Sequence, residues 1–385
     1  MNASGNRPQR RVVTAAAATV LLGATLVACS SATTATDDAS ESITLGYTAT
    51  LSGDFASYGL QMRQGVDLAV EELNADGGID GRTVEIVSAD DEGSPANGPV
   101  VAQQFCDESV AAVLGYSFSS VALAALPVYD TCGMPIVASA VTSPELSGAS
   151  PTFFRNVFTD ASQGEAMAAH VYESGVTSIA VLFQQDDYGQ GISDAFSEAF
   201  EKAGGTITSA QAYQLGSVDF GTVVDTALKD DPEGLFIGGF YTETAKIAAQ
   251  VRDAGSEVAL YGTDGAVTPD LVALGGEAVD GMTVYSGFST SSDDPDTQAF
   301  VAAFTEKYDS EPTSWAALAY DATKVVAQAV SDAGSTDHAA IVDALSAIEE
   351  FPGATGPISF DDEGNRLGDL IFLTVADGAF VPVSE

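Results

Sequence analysis

Between residues 113 and 146 the chain reads VLGYSFSSVALAALPVYDTCGMPIVASAVTSPEL: an apolar run, a serine-rich break, a helical stripe and a second apolar run. Residues 111–115 are apolar up to a glycine and too short for a helix, which predicts a buried strand. Val121, Leu123, Ala124 and Val128 then form a helical pattern, and 135–138 restarts as a second buried strand. Strand, helix and strand within this length predict a right-handed crossover and a parallel sheet. The loops after the two strands, 115–120 and 139–144, then open at one edge, where open α/β sheets bind ligands. Ser117, Ser119 and Ser120 in the first loop and Thr142 and Ser143 in the second offer hydroxyls there. With the free amides of a helix start, they suit an anion such as a carboxylate. The competing reading is that serines ahead of a helix are simply N-caps.

The same rhythm runs on both sides. A strand is predicted at 43–48, a helix at 58–74 with Val66, Val70 and Leu73 on one face, a strand at 83–88 and a helix at 95–108. After 153–158 the alternation starts afresh, with strands at 178–183, 206–213, 235–239, 260–262 and 282–285 and helices at 192–203, 220–229 and 242–254. These strands too end in polar or aromatic residues: Tyr188, Phe240 and Asp264. Helices at 296–308, 313–333 and 336–348 and strands at 356–360 and 370–375 close the chain. At 385 residues the chain exceeds one ordinary core, so two α/β lobes are expected, each building half of a site.

The N-terminus reads as a leader. Arg7, Arg10 and Arg11 precede an apolar stretch, 12–28, too short for a comfortable membrane span. Leu26-Val27-Ala28-Cys29 resembles a bacterial lipoprotein signal, which implies removal of 1–28, lipid on Cys29 and a small, polar tether over 29–42; an uncleaved anchor is the alternative. Charge is one-sided, 13 Lys+Arg against 55 Asp+Glu; without the three leader arginines it is 10 against 55, or −45. Nucleic acid and anionic membrane surfaces are poor partners for such a field, which reads first as a solvated, aggregation-resistant surface.

Three cysteines and two histidines leave little metal or catalytic chemistry, and no CxxC, HExxH or Walker loop is present. Neither metal nor cofactor is expected. Asp361-Asp362-Glu363-Gly364-Asn365 lacks the alternate spacing of a calcium loop and reads as a turn. Cys106 and Cys132 each lie four residues ahead of a strand, at equivalent points of successive units. With Cys29 lipidated in an oxidising compartment, these two are predicted to pair; two buried thiols are the alternative. Gly115-Tyr116-Ser117-Phe118-Ser119 approaches the G-x-S-x-G nucleophile turn, with His338 later in the chain, as a serine hydrolase would require. Its fifth residue is not glycine, His338 reads as solvated beside Asp337, and His170 reads as packing, so no enzyme is expected.

The chain resembles the branched-chain amino acid-binding family of ABC-transporter substrate-binding lipoproteins, the type I periplasmic binding proteins. The matching residues are Leu51-Ser52-Gly53 with Tyr58-Gly59, Gly65 with Leu73-Asn74 and Gly77-Gly78-Ile79, and Asp90-Asp91. They continue with Ser119-Ser120, Pro135-Ile136, Thr142 with Pro144-Glu145-Leu146, Tyr188-Gly189, Gly238-Gly239, Asp264-Gly265 and 356–361. The likeness spans about 43–380 and implies two doubly wound lobes joined by three crossovers. It places lobe 1 at 43–157 and 287–366 and lobe 2 at 158–286 and 367–385.

The same likeness implies a ligand between the lobes. Ser119 and Thr142 match hydroxyls that hold a ligand carboxylate, with Ser120 beside them and Ala140 as a backbone contact. Asp264 matches the acid that takes the ammonium. Tyr58 and Tyr188 match flanking tyrosines, while Trp315, Phe118 and Phe240 would make the side-chain pocket apolar. The best-known amino acid binders carry Glu at Asp264 and Tyr at Phe240, and other relatives bind amides, urea or aromatic acids. The implied protein is a monomeric lipoprotein on the outer face of the cytoplasmic membrane, delivering an amino acid to ABC permease subunits; a stand-alone sensor is the alternative.

Overall fold

The computed structural model of the protein describes residues 42–383; the leader, Cys29 and the rest of the tether lie outside the described residues. The first part alternates β1 (Ile43–Ala49), α1 (Ala56–Ala75), β2 (Val84–Asp90), α2 (Gly98–Glu108), β3 (Val113–Gly115), α3 (Ser119–Cys132), β4 (Ile136–Ala138) and β5 (Phe153–Arg155). These strands form one parallel sheet in the order β2-β1-β3-β4-β5. β3 and β4 are buried along their whole length, as their unbroken apolar runs require.

After β5 the chain crosses to a second sheet. It comprises α4 (Asp160–Glu173), β6 (Ser178–Gln184), α5 (Asp187–Ala203), β7 (Thr206–Tyr213), α6 (Gly221–Ala227), β8 (Gly234–Gly238), α7 (Tyr241–Asp253), β9 (Ala259–Gly262), α8 (Pro269–Gly275) and β10 (Thr283–Ser286). A second crossing leads to α9 (Pro295–Tyr308), α10 (Ser314–Ala333), α11 (His338–Ser346) and the short pair β11 (Ser359–Phe360) and β12 (Arg366–Leu367). The third reaches β13 (Ile371–Ala376) and β14 (Ala379–Pro382), which extend the second sheet antiparallel beside β10. That sheet runs β14-β13-β10-β9-β8-β6-β7. The molecule is thus a two-lobed α/β fold with three crossovers.

Spacing alone did not say which sheet the late helices rejoin. They return to the first: a Cβ on Gly65 of α1 would stand 2.0 Å from Ala316 O of α10, and Tyr320 of α10 donates to Glu72 of α1 at 2.6 Å. Only glycine allows so close a helix contact. At the first crossing Arg155, fully buried, donates to Asn365 Oδ1 through Nε at 2.9 Å, and its N–H donates to Gly364 O at 3.0 Å. The first and third crossings are therefore stitched together.

Several elements differ from the sequence expectation for identifiable reasons. α5 begins at Asp187, because Asp186 is its N-cap and accepts from Gly189 N at 2.8 Å; its polar start had read as loop. The expected strand at 356–360 is reduced to Ser359–Phe360, with Ile358 bridging to Phe351 ahead of it. α8 and β14 were not expected; seven and four residues are too few to display a period.

The far end of the first sheet is stapled. Cys106 and Cys132 are joined by a disulfide, with Cα atoms 6.0 Å apart. Beside it, His338 is not solvated as expected: Nδ1 lies 3.1 Å from Cys132 O and Nε2 2.8 Å from Val110 O. His170 stacks on Phe372 at 4.2 Å. Asp361 Oδ1 accepts from the amides of Glu363 and Asn365, closing the expected turn.

Candidate functional site

The site grows out of the way β3 ends. Gly115 has φ +116, and a Cβ there would stand 2.0 Å from Thr48 O; Tyr116 follows at φ +61. Two consecutive left-handed residues turn the chain sharply, a conformation glycine adopts freely and tyrosine does not. The turn lays Ser117–Ser119 across the carboxyl ends of the strands. There Ser117 Oγ accepts from Thr50 N at 3.1 Å and Ser119 Oγ accepts from Ser143 N at 3.3 Å. Each hydroxyl uses a lone pair in these bonds, leaving its own O–H to donate. Phe118, the N-cap of α3, supplies no side-chain acceptor, so the first amides of α3 are not capped by a side chain.

Across the cleft stands Asp264, just after β9. It is buried, with Oδ1 3.0 Å from the Tyr188 hydroxyl and 2.7 Å from Gly265 N, and Oδ2 accepting from Gln163 Nε2 at 2.9 Å. Burial pushes its pKa up to about 6, partly offset by these hydrogen bonds. A narrow cavity, about 290 Å³ with its solvent-open space, separates the two ends. Tyr58, Ser117, Ser119 and Ala140 line it from the first lobe, Tyr188, Phe240, Asp264 and Gly265 from the second, with Trp315 of α10. A second narrow cavity, about 260 Å³ with its solvent-open space, shares Asp264 and Trp315 with it.

Seven of the ten expected ligand residues thus line one cavity. Phe118 stands behind the wall, its ring 5.0 Å from Phe240, which stacks on Tyr188 at 5.1 Å. Thr142 is buried near Asp160, which its hydroxyl helps to stabilise as an anion, although neither side chain reaches full hydrogen-bond geometry. Ser120 is half-buried on the first turn of α3, outside the lining. Ser117 and Gly265 were not among the expected ligand residues. Ser117 carried a signal, a hydroxyl at a strand end, but Gly265 has no side chain to announce itself.

The cleft is closed. The Tyr58 hydroxyl donates to Gly265 O, Tyr241 donates to Asp54 O at 3.3 Å, and Ser57 donates to Asp270 at 2.8 Å, each bond spanning the lobes. A wider groove between α4 and α5, about 1560 Å³ with its solvent-open space, is lined by alanines and outward carboxylates. It lacks the convergent, buried polar groups of the inner cavity. Ser117 has no histidine beside it, since His338 sits at the opposite end of β3 and His170 stacks on β13. Among the described residues no group of His, Cys, Asp or Glu is arranged to hold a metal ion.

Comparison with known proteins agrees with this architecture. Residues 42–379 match the family model described as periplasmic binding protein. The chain is 28% identical over 331 residues to a leucine-, isoleucine-, valine-, threonine- and alanine-binding protein of Pseudomonas aeruginosa, covering 85% of this chain and 88% of that one. Its fold matches the leucine-binding protein LivK of Thermotoga maritima with TM-score 0.85 at 29% identity, covering 89% of this chain and 98% of that one. It also matches LivJ of Streptococcus pneumoniae, solved with isoleucine, with TM-score 0.82 at 29% identity over 89% and 100% of the two chains. With the family model spanning both lobes, the chain belongs to the periplasmic binding protein family and has its two-lobed type I fold.

Proposed function

We propose that the protein is an extracytoplasmic solute-binding lipoprotein, anchored through Cys29, that captures an amino acid between closing lobes and delivers it to an ABC importer. The observation that carries this reading is the polarity of the cavity. Donor hydroxyls at Ser117 and Ser119 and the first amides of α3 stand at one end, and the buried Asp264 carboxyl stands at the other. A zwitterion satisfies both ends and ties the lobes together. A simple organic acid would leave Asp264 without a cation in a dry site, which is costly. Tyr58 and Tyr188 flank the ligand, Ala140 contributes its backbone, and Phe118, Phe240 and Trp315 favour an apolar side chain. The binding specificities carried in the names of the relatives point the same way.

The mechanism needs no bond chemistry. Ligand contacts to both lobes exist only in the closed state, so binding shifts the hinge equilibrium toward closure. The permease subunits then read the closed shape of a monomeric carrier. Calorimetry with the twenty amino acids, their des-amino acids and short amides tests this on wild type and Asp264→Ala. The substitution is expected to weaken amino acid binding by about 2–5 kcal/mol, the range for removing one partner of a buried charge pair. A tightest ligand without an amino group, or amino acid binding unchanged by Asp264→Ala, would refute it.

A further inference from the structure

The two lobes and the second crossing frame a further pocket, about 780 Å³ with its solvent-open space. Val267, Val272, Leu373 and Phe380 of the second lobe, Phe288 of the crossing and Pro312 of the first lobe give it apolar walls. α10 begins beside it, where Ser314 lines both this pocket and the second narrow cavity that holds Asp264 and Trp315. On the other lobe, Val267 N donates to Asp264 O at 2.8 Å. The pocket therefore adjoins the ligand cleft but shares no lining residue with the inner cavity.

One polar group of this wall has no structural task. Thr268 is the N-cap of α8, where a threonine hydroxyl ordinarily accepts from an amide of the first turn. Here it makes no such bond. The residue is 1% exposed, and its hydroxyl has no hydrogen-bond partner among the described residues. An unmet hydroxyl among apolar walls costs stability until something bonds it. Apolar walls with a few polar groups are also the usual form of a small-molecule site. The charged surroundings select the head group. The exposed Glu311 repels an anion, as does the acidic chain as a whole, while Thr313 and Ser314 bring the positive end of the α10 dipole, which opposes a cation. An uncharged hydroxyl can donate to Thr268 or accept from it.

We propose that this pocket is a second small-molecule site, taking an uncharged molecule with an apolar body and one hydroxyl, of the kind phenol represents, whose hydroxyl meets that of Thr268. The occupant touches Pro312 and Ser314 of one lobe and Val267 and Leu373 of the other. Those contacts are complete only when the lobes are closed, so occupation favours closure. Closure also builds the inner cleft, and each site then strengthens the other. The site requires no particular cargo in the cleft, so the inference stands whether or not that cargo is an amino acid.

The test uses the full mature protein with phenol, toluene and benzoate as probes, titrated by ligand-observed NMR. Phenol is expected to bind, with toluene about fivefold weaker for want of one hydrogen bond and benzoate weaker still. Thr268→Val should weaken phenol about fivefold and leave toluene within about twofold. Ala379→Trp, on the exposed face of β14, puts a ring into the pocket and should abolish binding of both. Small-angle scattering should show that phenol makes wild type, or Tyr58→Phe with one interlobe bond fewer, more compact. No phenol binding, toluene as tight as phenol, or equal loss of both in Thr268→Val overturns the site. So does benzoate binding that Ala379→Trp removes, which would mark an anion site. Phenol binding that Ala379→Trp leaves unchanged lies elsewhere, the ligand cleft included, and overturns it as well. If Thr268→Val fails to fold, Ala379→Trp and the phenol-to-toluene ratio decide. Phenol held in the pocket with scattering unchanged in both proteins overturns its role in closure.

Discussion

Gln163 Nε2 donates to Asp264 Oδ2 across 2.9 Å, tying the first turn of α4 to the strand end that carries the buried acid of the cleft. The Tyr188 hydroxyl and Gly265 N approach the other oxygen. These bonds favour the carboxylate, yet burial outweighs them. The site therefore holds a carboxyl whose charged form its own surroundings disfavour.

The first prediction concerns stability and pH. Asp264 titrates at 3.8 ordinarily and at about 6 in the folded protein. Folding thus favours its protonated form: the penalty is absent below the lower value, grows between the two and is constant above the higher. Asp264→Asn should stabilise the ligand-free protein by about 2–3 kcal/mol at pH 7.5, a shift of roughly two units at about 1.4 kcal/mol each, and by almost nothing near pH 3.5. Urea unfolding at the two pH values checks this. A gap that does not change with pH would refute the electrostatic account.

Tyr58→Phe removes one hydrogen bond that exists only when the lobes meet. A bond of about 1 kcal/mol is worth roughly fivefold in the closure equilibrium, so ligand affinity should fall by about that factor, chiefly through faster release. Small-angle scattering of the free protein, beside stopped-flow release, measures both. Unchanged scattering together with unchanged release would show that the bond does not bias closure.

Reducing the Cys106–Cys132 bridge opens a loop with a sequence separation of 26. The chain-entropy estimate for that length is about 3–4 kcal/mol of stability. The bridge lies at the amino ends of β3 and β4, away from the cavity, so ligand affinity should stay within about twofold. Unfolding and calorimetry with and without reductant separate the two effects.

Gly65→Ala should destabilise the protein by about 1–3 kcal/mol or more, because its methyl group meets the Ala316 carbonyl and must part α1 from α10. Thermal unfolding measures the loss. A neutral result would mean that the helices separate at little cost.

Much of this fold is legible because the central strands of both sheets are buried on both faces. Runs such as Val113–Gly115 and Gly234–Gly238 stand out as apolar blocks between helical stripes, and the crossover rule then fixes which ends share an edge. Tyr188, Phe240 and Asp264 could be marked because they follow such strands. Asp160 and Gln163 could not. On a first helical turn an acid and an amide look like solvated capping residues, and only the crossing geometry buries them. Asp186 illustrates the reverse, a cap that read as loop. His338 was obscure for a similar reason, since nothing local shows that α11 packs over the ends of two other elements. The two-residue strands β11 and β12 carry no periodicity at all.

Two of the bonds that span the cleft, from Tyr58 and from Tyr241, end on backbone carbonyls, those of Gly265 and Asp54. A carbonyl is present whatever side chain occupies its position. Mutations in the pocket therefore leave both accepting carbonyls in place, but Phe118, Phe240 and Trp315 pack on the Tyr58 ring and so also hold its latch in position. In evolutionary terms, choice of cargo and the closed shape are separable where a substitution spares the packing of Tyr58, and the Tyr241 latch stands apart from these three rings. A lineage could change its nutrient by a few pocket substitutions while its transporter, if it reads the closed form, needs no matching change.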